Sequence, residues 1–315
     1  MENNDKLAVT VAVYTYNSSE TVVETLDSIL SQTYPKLELI ISDDGSTDNT
    51  VDICRKWLEE HHGRFVNARL LTVKKNTGTS ANGNRAWDAC ETTWIKDIAG
   101  DDLLLPNCIE DNMAYIQDHP DAIMVFSRLT RFMVKDGRKV AMDEWSIDYS
   151  IFELGPEERC RRLMHEDGVI PGNTCFANIE ELRRLGFRHD ERIPLLEDAP
   201  KWLALSRKGI EFHFMDKLTV YYRYNWKSLG NGINTPAFYK SFLFYLLYYF
   251  LDEIKNGEDQ DAVYSLISDK ATERYEKTYN RIAQLNDSFK NSWDFRIGHF
   301  VLAPLRFLKH GFSRK

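Results

Sequence analysis

Three short acidic runs carry the groups that chemistry on a phosphorylated or hydroxylated substrate would need: Asp43-Asp44-Gly45-Ser46-Thr47-Asp48, Gly100-Asp101-Asp102 and Glu197-Asp198. Adjacent carboxylates repel, so a pair persists where donors or a cation neutralise it. At Asp43-Asp44 a carboxylate pair suits the N–H of a base and a hydroxyl of a ribose, both of which are donors. At Asp101-Asp102 the same hard oxygens suit Mg²⁺ or Mn²⁺ shared with a diphosphate. Glu197-Asp198, entering from a distant segment, suits a general base that takes the proton of an attacking hydroxyl. Each run alone also reads as a turn, a helix cap or an acidic helix start. The chemical reading rests on their occurring together.

These residues act jointly only if the fold brings them to one place. From Ala8 to about Ile98 the chain alternates short β-rich runs with longer amphipathic stretches, the pattern of a parallel α/β sheet. Strands are expected at Ala8–Thr15, Leu37–Asp43, Leu70–Lys74 and Trp94–Ile98, with helices at about Ser19–Gln32, Thr47–Glu60 and Ser80–Cys90. Right-handed crossovers place the carboxyl ends of such strands on one edge, where open sheets bind ligands. Thr15-Tyr16-Asn17, Asp43-Asp44 and Gly100-Asp101-Asp102 are those ends. A helix from Pro106 to about His119 and a tight turn at Asp136-Gly137 follow. Residues Gly155 to Arg223 mix helices with short strands and end in the β-rich Leu218–Tyr224, and from Asn234 the texture is helical. Helices are expected there at about Thr235–Asn256, Asp259–Phe289 and after Trp293, beyond a boundary near Gly230-Asn231-Gly232.

Composition narrows the classes. A hydrophobic content of 43% over 315 residues supplies a core and excludes a disordered chain. A net charge of -8 excludes a general nucleic-acid binder, which needs surplus Lys and Arg. The five cysteines, at 54, 90, 108, 160 and 175, include no Cys-x-x-Cys pair, so they suggest neither a disulfide framework nor a zinc ribbon. Reduced cytosol is the simplest compartment. Met1 to Lys6 lack the basic leader of a secretion signal, and the apolar run Phe242–Phe250 is about half of the roughly 20 residues a spanning helix needs. That run is apolar around its whole circumference and is expected to be buried core. The stretch Asn76-Thr77-Gly78-Thr79-Ser80 has neither Gly-x-Gly-x-x-Gly nor a Gly-Lys-Ser/Thr ending, which argues against a dinucleotide fingerprint and a P-loop.

In order and spacing, Thr15-Tyr16-Asn17, Gln32-Thr33-Tyr34-Pro35, Asp43 to Asp48, Gly100-Asp101-Asp102 with Pro106, and Glu197-Asp198 with Trp202 resemble the family 2 glycosyltransferases of the GT-A fold. The resemblance spans about Leu7 to Arg223. It implies a Rossmann-like central mixed sheet flanked by helices, here with a helical C-terminal extension. It also implies transfer of a sugar from a nucleotide sugar, a UDP-sugar first, to an acceptor hydroxyl with inversion at the anomeric carbon. By the same resemblance Thr15, Tyr16 and Asn17 line the nucleotide pocket, Asp43 meets the base, Asp44 lies near the ribose, and Gly78 and Asn84 belong to the nucleotide side. Asp101, with Asp102, would hold the Mn²⁺ or Mg²⁺ that bridges the diphosphate, and Asp198, with Glu197 beside it, would be the catalytic base. Gly172 and Asn173, within Ile170–Thr174, and Trp202 resemble the acceptor side. Arg223, in Tyr221-Tyr222-Arg223-Tyr224, resembles the segment that closes the domain near the diphosphate. The implied domains are residues 1–229, with a nucleotide half to about 105 and an acceptor half from about 106, and a helical region 230–315.

Two positions depart from the family pattern. The aspartate commonly found two residues before Asp101 is Ala99 here, and the basic residue often preceding Asn84 is Gly83, with Arg85 after it. His61-His62 at a helix end has no metal-ligand spacing. From Lys290 to Lys315 six Lys or Arg face the single acid Asp294, and Trp293, Ile297, Phe300, Val301, Leu305, Leu308 and Phe312 recur at helical spacing. A basic amphipathic helix of this kind is the pattern of an in-plane anchor on anionic lipid, or of a helix that packs on protein. The expectation is a cytoplasmic enzyme, peripheral on the inner face of the plasma membrane, that extends a bacterial surface glycan or a lipid-linked oligosaccharide. Two other classes stay open: a nucleotide-sugar-binding protein that has lost turnover, which Ala99 makes thinkable, and a nucleotidyltransferase. The latter would need a Gly-rich Arg/Lys loop after the first strand, where this chain has Thr15-Tyr16-Asn17-Ser18-Ser19.

Overall fold

The computed structural model describes residues 7–142, 148–224, 235–255, 257 and 259–285. The chain forms two compact units, Met1–Glu191 with Lys201–Tyr224, and Arg192–Pro200 with Asn225–Lys315. The segment carrying Glu197 and Asp198 therefore groups with the helical unit. The expected boundary at Gly230-Asn231-Gly232 and the basic segment from Lys290 both lie outside the described residues.

The first unit opens with β1 (Val9–Thr15), α1 (Val22–Leu30), β2 (Leu37–Asp43), α2 (Thr50–His61), β3 (Asn67–Thr72), α3 (Thr79–Ala89) and β4 (Trp94–Ala99). It continues with β5 (Leu103–Leu104), α4 (Cys108–Asp118), β6 (Met124–Lys135), β7 (Arg138–Ala141), α5 (Pro156–His165), β8 (Phe176–Asn178), α6 (Ile179–Arg184), the part of α7 (Asp198–Arg207) from Lys201 onward, and β9 (Phe212–Arg223). Among the described residues the strands form one mixed sheet in the order β3-β2-β1-β4-β8-β6-β9-β5, with β7 hairpinned onto β6. The four leading strands are mutually parallel, whereas β8 runs antiparallel to β4 and β6.

Side chains alternate across a strand, so a run that is apolar at nearly every position is covered on both faces. Val9, Val11 and Val13 of β1 and Leu37, Leu39 and Ile41 of β2 join Val22, Leu26 and Ile29 of α1 and Trp57 of α2 in one buried cluster. On the alternate face Ser42 of β2 meets α3, its Oγ donating to Asn82 Oδ1 at 2.6 Å while Asn82 Nδ2 donates to the Ser42 carbonyl at 3.0 Å. Register then sets the edge that matters: Thr15 lies beside Asp43 on one neighbour, and Tyr14 lies beside Ala99 on the other.

The structure moves some boundaries for identifiable reasons. Helix α1 starts at Val22 rather than Ser19, because the backbone N–H groups of Ser18 and Ser19 donate to Thr50 Oγ1 and Asp48 Oδ2. Strand β3 begins at Asn67, three residues before the apolar run, since Arg69 of this edge strand donates to Glu38 and Glu91. Asp136 and Gly137 turn the β6–β7 hairpin with φ of 50° and 71°, the mirror-image turn that Asp-Gly favours.

The second unit contains α8 (Pro236–Tyr245), a π-helical turn at Leu246–Phe250, α9 (Leu251–Lys255) and α10 (Gln260–Leu285). Thr235 caps α8 by accepting from Phe238 N at 3.1 Å, with Pro236 in the first turn. The helix expected over Thr235–Asn256 is thus broken by a widened turn inside the aromatic run. Phe242, Leu243, Tyr245, Leu246 and Phe250 are buried there, while Leu247 and Tyr248 remain exposed. Arg192 stacks on Tyr248 with its guanidinium 4.2 Å from the ring centroid. No helix among the described residues is long and apolar enough to cross a membrane.

Candidate active site

The carboxyl edge of the parallel strands is a set of loops that tie one another down. Asp43 is fully buried, its Oδ1 accepting from the N–H groups of Gly45 and Ser46 at 3.1 and 2.9 Å, and its Oδ2 from the hydroxyls of Thr15 and Ser46. A carboxylate offers about four acceptor sites, and all are engaged. Asp44 is held in the same way by the N–H groups of Thr77 and Gly78 at 3.0 and 2.8 Å, the Thr77 hydroxyl, and Arg85 Nη2 at 3.4 Å. Both acids therefore anchor loops, and the expected contacts to base and ribose would have to displace these donors. Asn17, at φ 51°, donates its N–H to Ser46 Oγ at 2.7 Å and accepts from Thr47 N at 2.8 Å, so the loop after β1 is stitched to the loop after β2. Asp48 completes the seam. Partial burial raises its pKa, but hydrogen bonds from Thr50 and Ser19 outweigh that and hold it at about 2. Tyr16 stands 48% exposed above the seam, a ring open to a ligand.

Gly45 is required by this arrangement. Its φ is +77°, and a Cβ there would lie 2.7 Å from the Lys75 carbonyl carbon and 2.9 Å from Asn76 N, both backbone atoms. Gly45→Ala is expected to destabilise the chain by about 3 kcal/mol or more, combining left-handed strain with overpacking. The urea unfolding midpoint measures this, and Gly63→Ala, where a Cβ meets nothing within 4 Å, is the matched control.

Across β1, Gly100 brings the second acidic run to the same edge. Its N–H donates to the Tyr14 carbonyl at 2.8 Å, its carbonyl accepts from Thr21 Oγ1 at 2.8 Å, and a Cβ would crowd Thr15 Cγ2 at 2.9 Å. Asp102 is buried and held on both oxygens, Oδ1 by Arg223 N at 2.8 Å and Oδ2 by Asn173 Nδ2 at 3.0 Å. Arg223 Nε donates to the Asp101 carbonyl at 2.7 Å and its Nη2 to Glu24 at 2.6 Å, while its guanidinium stacks on Phe132. Asp101 is half-buried, and among the described residues no other side chain is hydrogen-bonded to its carboxylate. Burial raises its pKa, against the pull of the Arg223 charge, and burial together with the neighbouring Asp101 charge raises that of Asp102. Such a pair favours a cation. The described residues hold no cluster of three or more His, Cys, Asp or Glu groups suited to a metal, so a closed cage is not what the edge offers. The donor set fits a hard divalent ion in another way, shared between the open Asp101 carboxylate and substrate oxygens.

Six further expected residues are placed as follows. Gly172 and Asn173 form a short 3₁₀ turn, Gly172–Thr174, and Asn173 joins the site through Asp102. Asn84 does not face that edge: its Oδ1 accepts from His189 N at 2.9 Å and its Nδ2 donates to the His189 carbonyl at 3.0 Å and to Glu191 at 2.8 Å. It forms a strut between α3 and the His189 segment. Trp202 lies in the core, 2% exposed, its ring meeting Phe126 and Phe212 edge-on at 5.1 and 5.8 Å. The helical spacing of Trp202, Leu203 and Leu205 turns that side of α7 inward. Glu197 and Asp198 lie in the second unit at the start of α7, where both are half-buried.

The strut has a pH signature. His189 is buried against Trp87, and burial, with Lys201 and Arg188 nearby, lowers its pKa well below the ordinary value. The unfolded chain takes up a proton near pH 6.5 that the folded chain refuses, so stability rises with pH below about 6.5 and is lost on acidification. Unfolding free energy measured from pH 7 to pH 5 is expected to fall more steeply in the wild type than in His189→Phe.

Sequence reasoning passed over Thr77, which holds Asp44 through both its N–H and its hydroxyl, and Lys96, which is fully buried. It also left Asp97 without a role, whereas Tyr14 Oη donates to Asp97 at 2.6 Å and Trp87 Nε1 donates at 3.2 Å. A lysine within the apolar strand β4 was the visible signal for Lys96.

The model of glycosyl transferase family 2 matches residues 10–182, more than half the chain. The chain is 25% identical over 217 residues to the Escherichia coli UDP-Glc:alpha-D-GlcNAc-diphosphoundecaprenol beta-1,3-glucosyltransferase WfaP, covering 68% of this chain and 76% of that protein. Staphylococcus aureus TarS 1-349 in complex with UDP-GlcNAc shares the fold at a TM-score of 0.57 and 18% identity, covering 93% of this chain and 78% of that one. The mannosyltransferase PcManGT of Pyrobaculum calidifontis, in complex with GDP-Man and Mn²⁺, does so at 0.54 and 17%, covering 95% and 84%. With paired acids closing β2 and following β4 of a mixed GT-A sheet, the chain belongs to glycosyl transferase family 2 and is a glycosyltransferase.

Proposed function

We propose that the chain transfers a sugar from a UDP-sugar to a hydroxyl of a growing bacterial surface glycan or lipid-linked oligosaccharide, with inversion at the anomeric carbon. The observation that carries this reading is the open Asp101 carboxylate beside the doubly held Asp102, at the edge where the β1 and β2 loops interlock. The donor is supported by WfaP, named for UDP-Glc, and by TarS, seen with UDP-GlcNAc. The lipid-linked acceptor is supported by the diphosphoundecaprenol in the name of WfaP.

In this reading the nucleotide lies on the seam of Thr15, Tyr16 and Asn17 with the Asp43-Asp44 and Gly78 loops, and Tyr16 offers a ring face to the base. The diphosphate lies toward Asp101. Asp101 would hold a Mn²⁺ or Mg²⁺, which would supply a Lewis acid where negative charge develops on the leaving group. Asp102, Asn173 and Arg223 keep Asp101 in place. Asp198 removes the acceptor proton as the hydroxyl oxygen attacks the anomeric carbon opposite the departing diphosphate, with Glu197 as its neighbour. Gly172 and Asn173 border the acceptor, and the basic segment from Lys290 attaches the enzyme to the inner face of the plasma membrane.

The test is a panel of nucleotide sugars, each with Mn²⁺ or with chelator, in which released nucleotide diphosphate is measured. Turnover of one donor, lost on chelation, is the expected result. UDP binding without turnover of any donor, even with acceptor extracts, favours instead a binding protein that has lost catalysis, the reading Ala99 admits.

A further inference from the structure

Lys96 lies in the middle of β4, five residues before Asp101, with no accessible surface. Its ammonium donates to three main-chain carbonyls, those of Asp97 at 3.0 Å, Cys175 at 3.2 Å and Asn173. All three donors are used, and no carboxylate accepts from any of them among the described residues. Burying an ammonium without a counter-ion in contact costs stability that a methionine or leucine at this place would not. A position in a strand whose Trp94, Ile95 and Ile98 are buried apolar residues needs no charge for its packing.

What the charge secures is a cross-link. Two of its acceptors belong to the segment Asn173–Cys175, and the side chain of Asn173 grips Asp102 Oδ2 from there. The other Asp102 oxygen is held by Arg223 N, at the end of β9. The chain of contacts therefore runs from Lys96 through Asn173 to Asp102, whose immobilised carboxylate fixes the peptide that carries Asp101.

We propose that Lys96 is a positioning residue for donor binding, acting through Asn173 to hold Asp102 and thereby aim the Asp101 carboxylate at the nucleotide diphosphate and its cation. The inference rests on the reading of Asp101 given above. It makes the Gly172–Thr174 turn and the acidic pair one mechanical unit, so that a change at a buried strand lysine is felt as weakened metal-dependent nucleotide binding.

The test uses the full chain as wild type, Lys96→Met, Asn173→Ala and the double variant, with UDP binding measured by calorimetry across a Mn²⁺ titration and melting temperatures recorded in parallel. Each single variant is expected to raise the Mn²⁺ needed for half-maximal UDP binding by about 10- to 100-fold, the usual size of such outer contacts. The double variant is expected to lose no more than the worse single, because the two act in series. Wild-type Mn²⁺ dependence in Lys96→Met, or losses that multiply in the double variant, overturns the proposal. A purely structural lysine would lower the melting temperature and leave the Mn²⁺ requirement alone. If Lys96→Met does not fold, Asn173→Ala decides, and unchanged binding there is also fatal. A wild type that binds UDP with Mn²⁺ but turns over no nucleotide sugar defeats the transferase reading and leaves the binding comparison to judge Lys96. Absence of Mn²⁺-dependent UDP binding in the wild type defeats the Lys96 proposal itself.

Discussion

Asp198→Asn is expected to reduce glycosyl transfer by about 10²- to 10⁴-fold in kcat, the range typical of a lost general base, while the affinity for the donor nucleotide stays essentially as it was. The substitution keeps the shape of the side chain and removes its capacity to take a proton. An acceptor hydroxyl is far too weak an acid to ionise unaided near neutrality, so the loss falls on the chemical step rather than on binding. Initial rates at saturating donor, set beside calorimetric titration with UDP, separate the two. Turnover retained in Asp198→Asn with turnover lost in Glu197→Gln would transfer the role one residue upstream. Retention in both would remove this acidic pair from the mechanism.

The second large effect is expected at the opposite end of the reaction. Asp101→Asn should lower kcat/KM by about 10²- to 10³-fold, the scale on which removal of a preorganised charge-stabilising group is felt, and should raise the Mn²⁺ requirement for UDP binding. The melting temperature should not fall. Burial raises the pKa of Asp101, which means that its charged form costs the folded chain stability at neutral pH, and a neutral amide relieves both that cost and the repulsion with Asp102. Loss of activity with unchanged or increased thermal stability is therefore the signature. Loss of both together would make Asp101 a structural residue. Asp102→Asn provides the contrast, because it alters a carboxylate that already accepts from Arg223 and Asn173, and its effect on stability should be the larger.

Much of the parallel half was legible without coordinates, since its signals are local. Apolar runs such as Val9–Val13 and Leu37–Ile41 name buried strands, and Asp136-Gly137 names a turn by the conformations those residues tolerate. The edge strand β3 was misplaced by three residues because its outer positions face solvent and its polar start carries no periodic signal. The burial of Trp202 and Asn84 was illegible for the same kind of reason. A tryptophan beside an acidic pair and an asparagine beside glycines look alike in sequence whether they face a cleft or a core, and only the packing partners Phe126, Phe212 and His189 tell them apart.

By itself the sequence determined which residues end the strands, and strand direction follows from the crossovers, so it determined that Asp43-Asp44 and Asp101-Asp102 share an edge on either side of β1. It also carried the family resemblance, in the order and types of those groups. Tertiary structure decided which carboxylate is free. Asp43 and Asp44 are saturated by donors, Thr77 among them, and Asp102 is held on each oxygen by Asn173 and Arg223, whereas among the described residues no other side chain is hydrogen-bonded to the Asp101 carboxylate. Hydrogen-bond saturation depends on segments a hundred residues apart meeting within about 3 Å, and no local pattern encodes such a meeting.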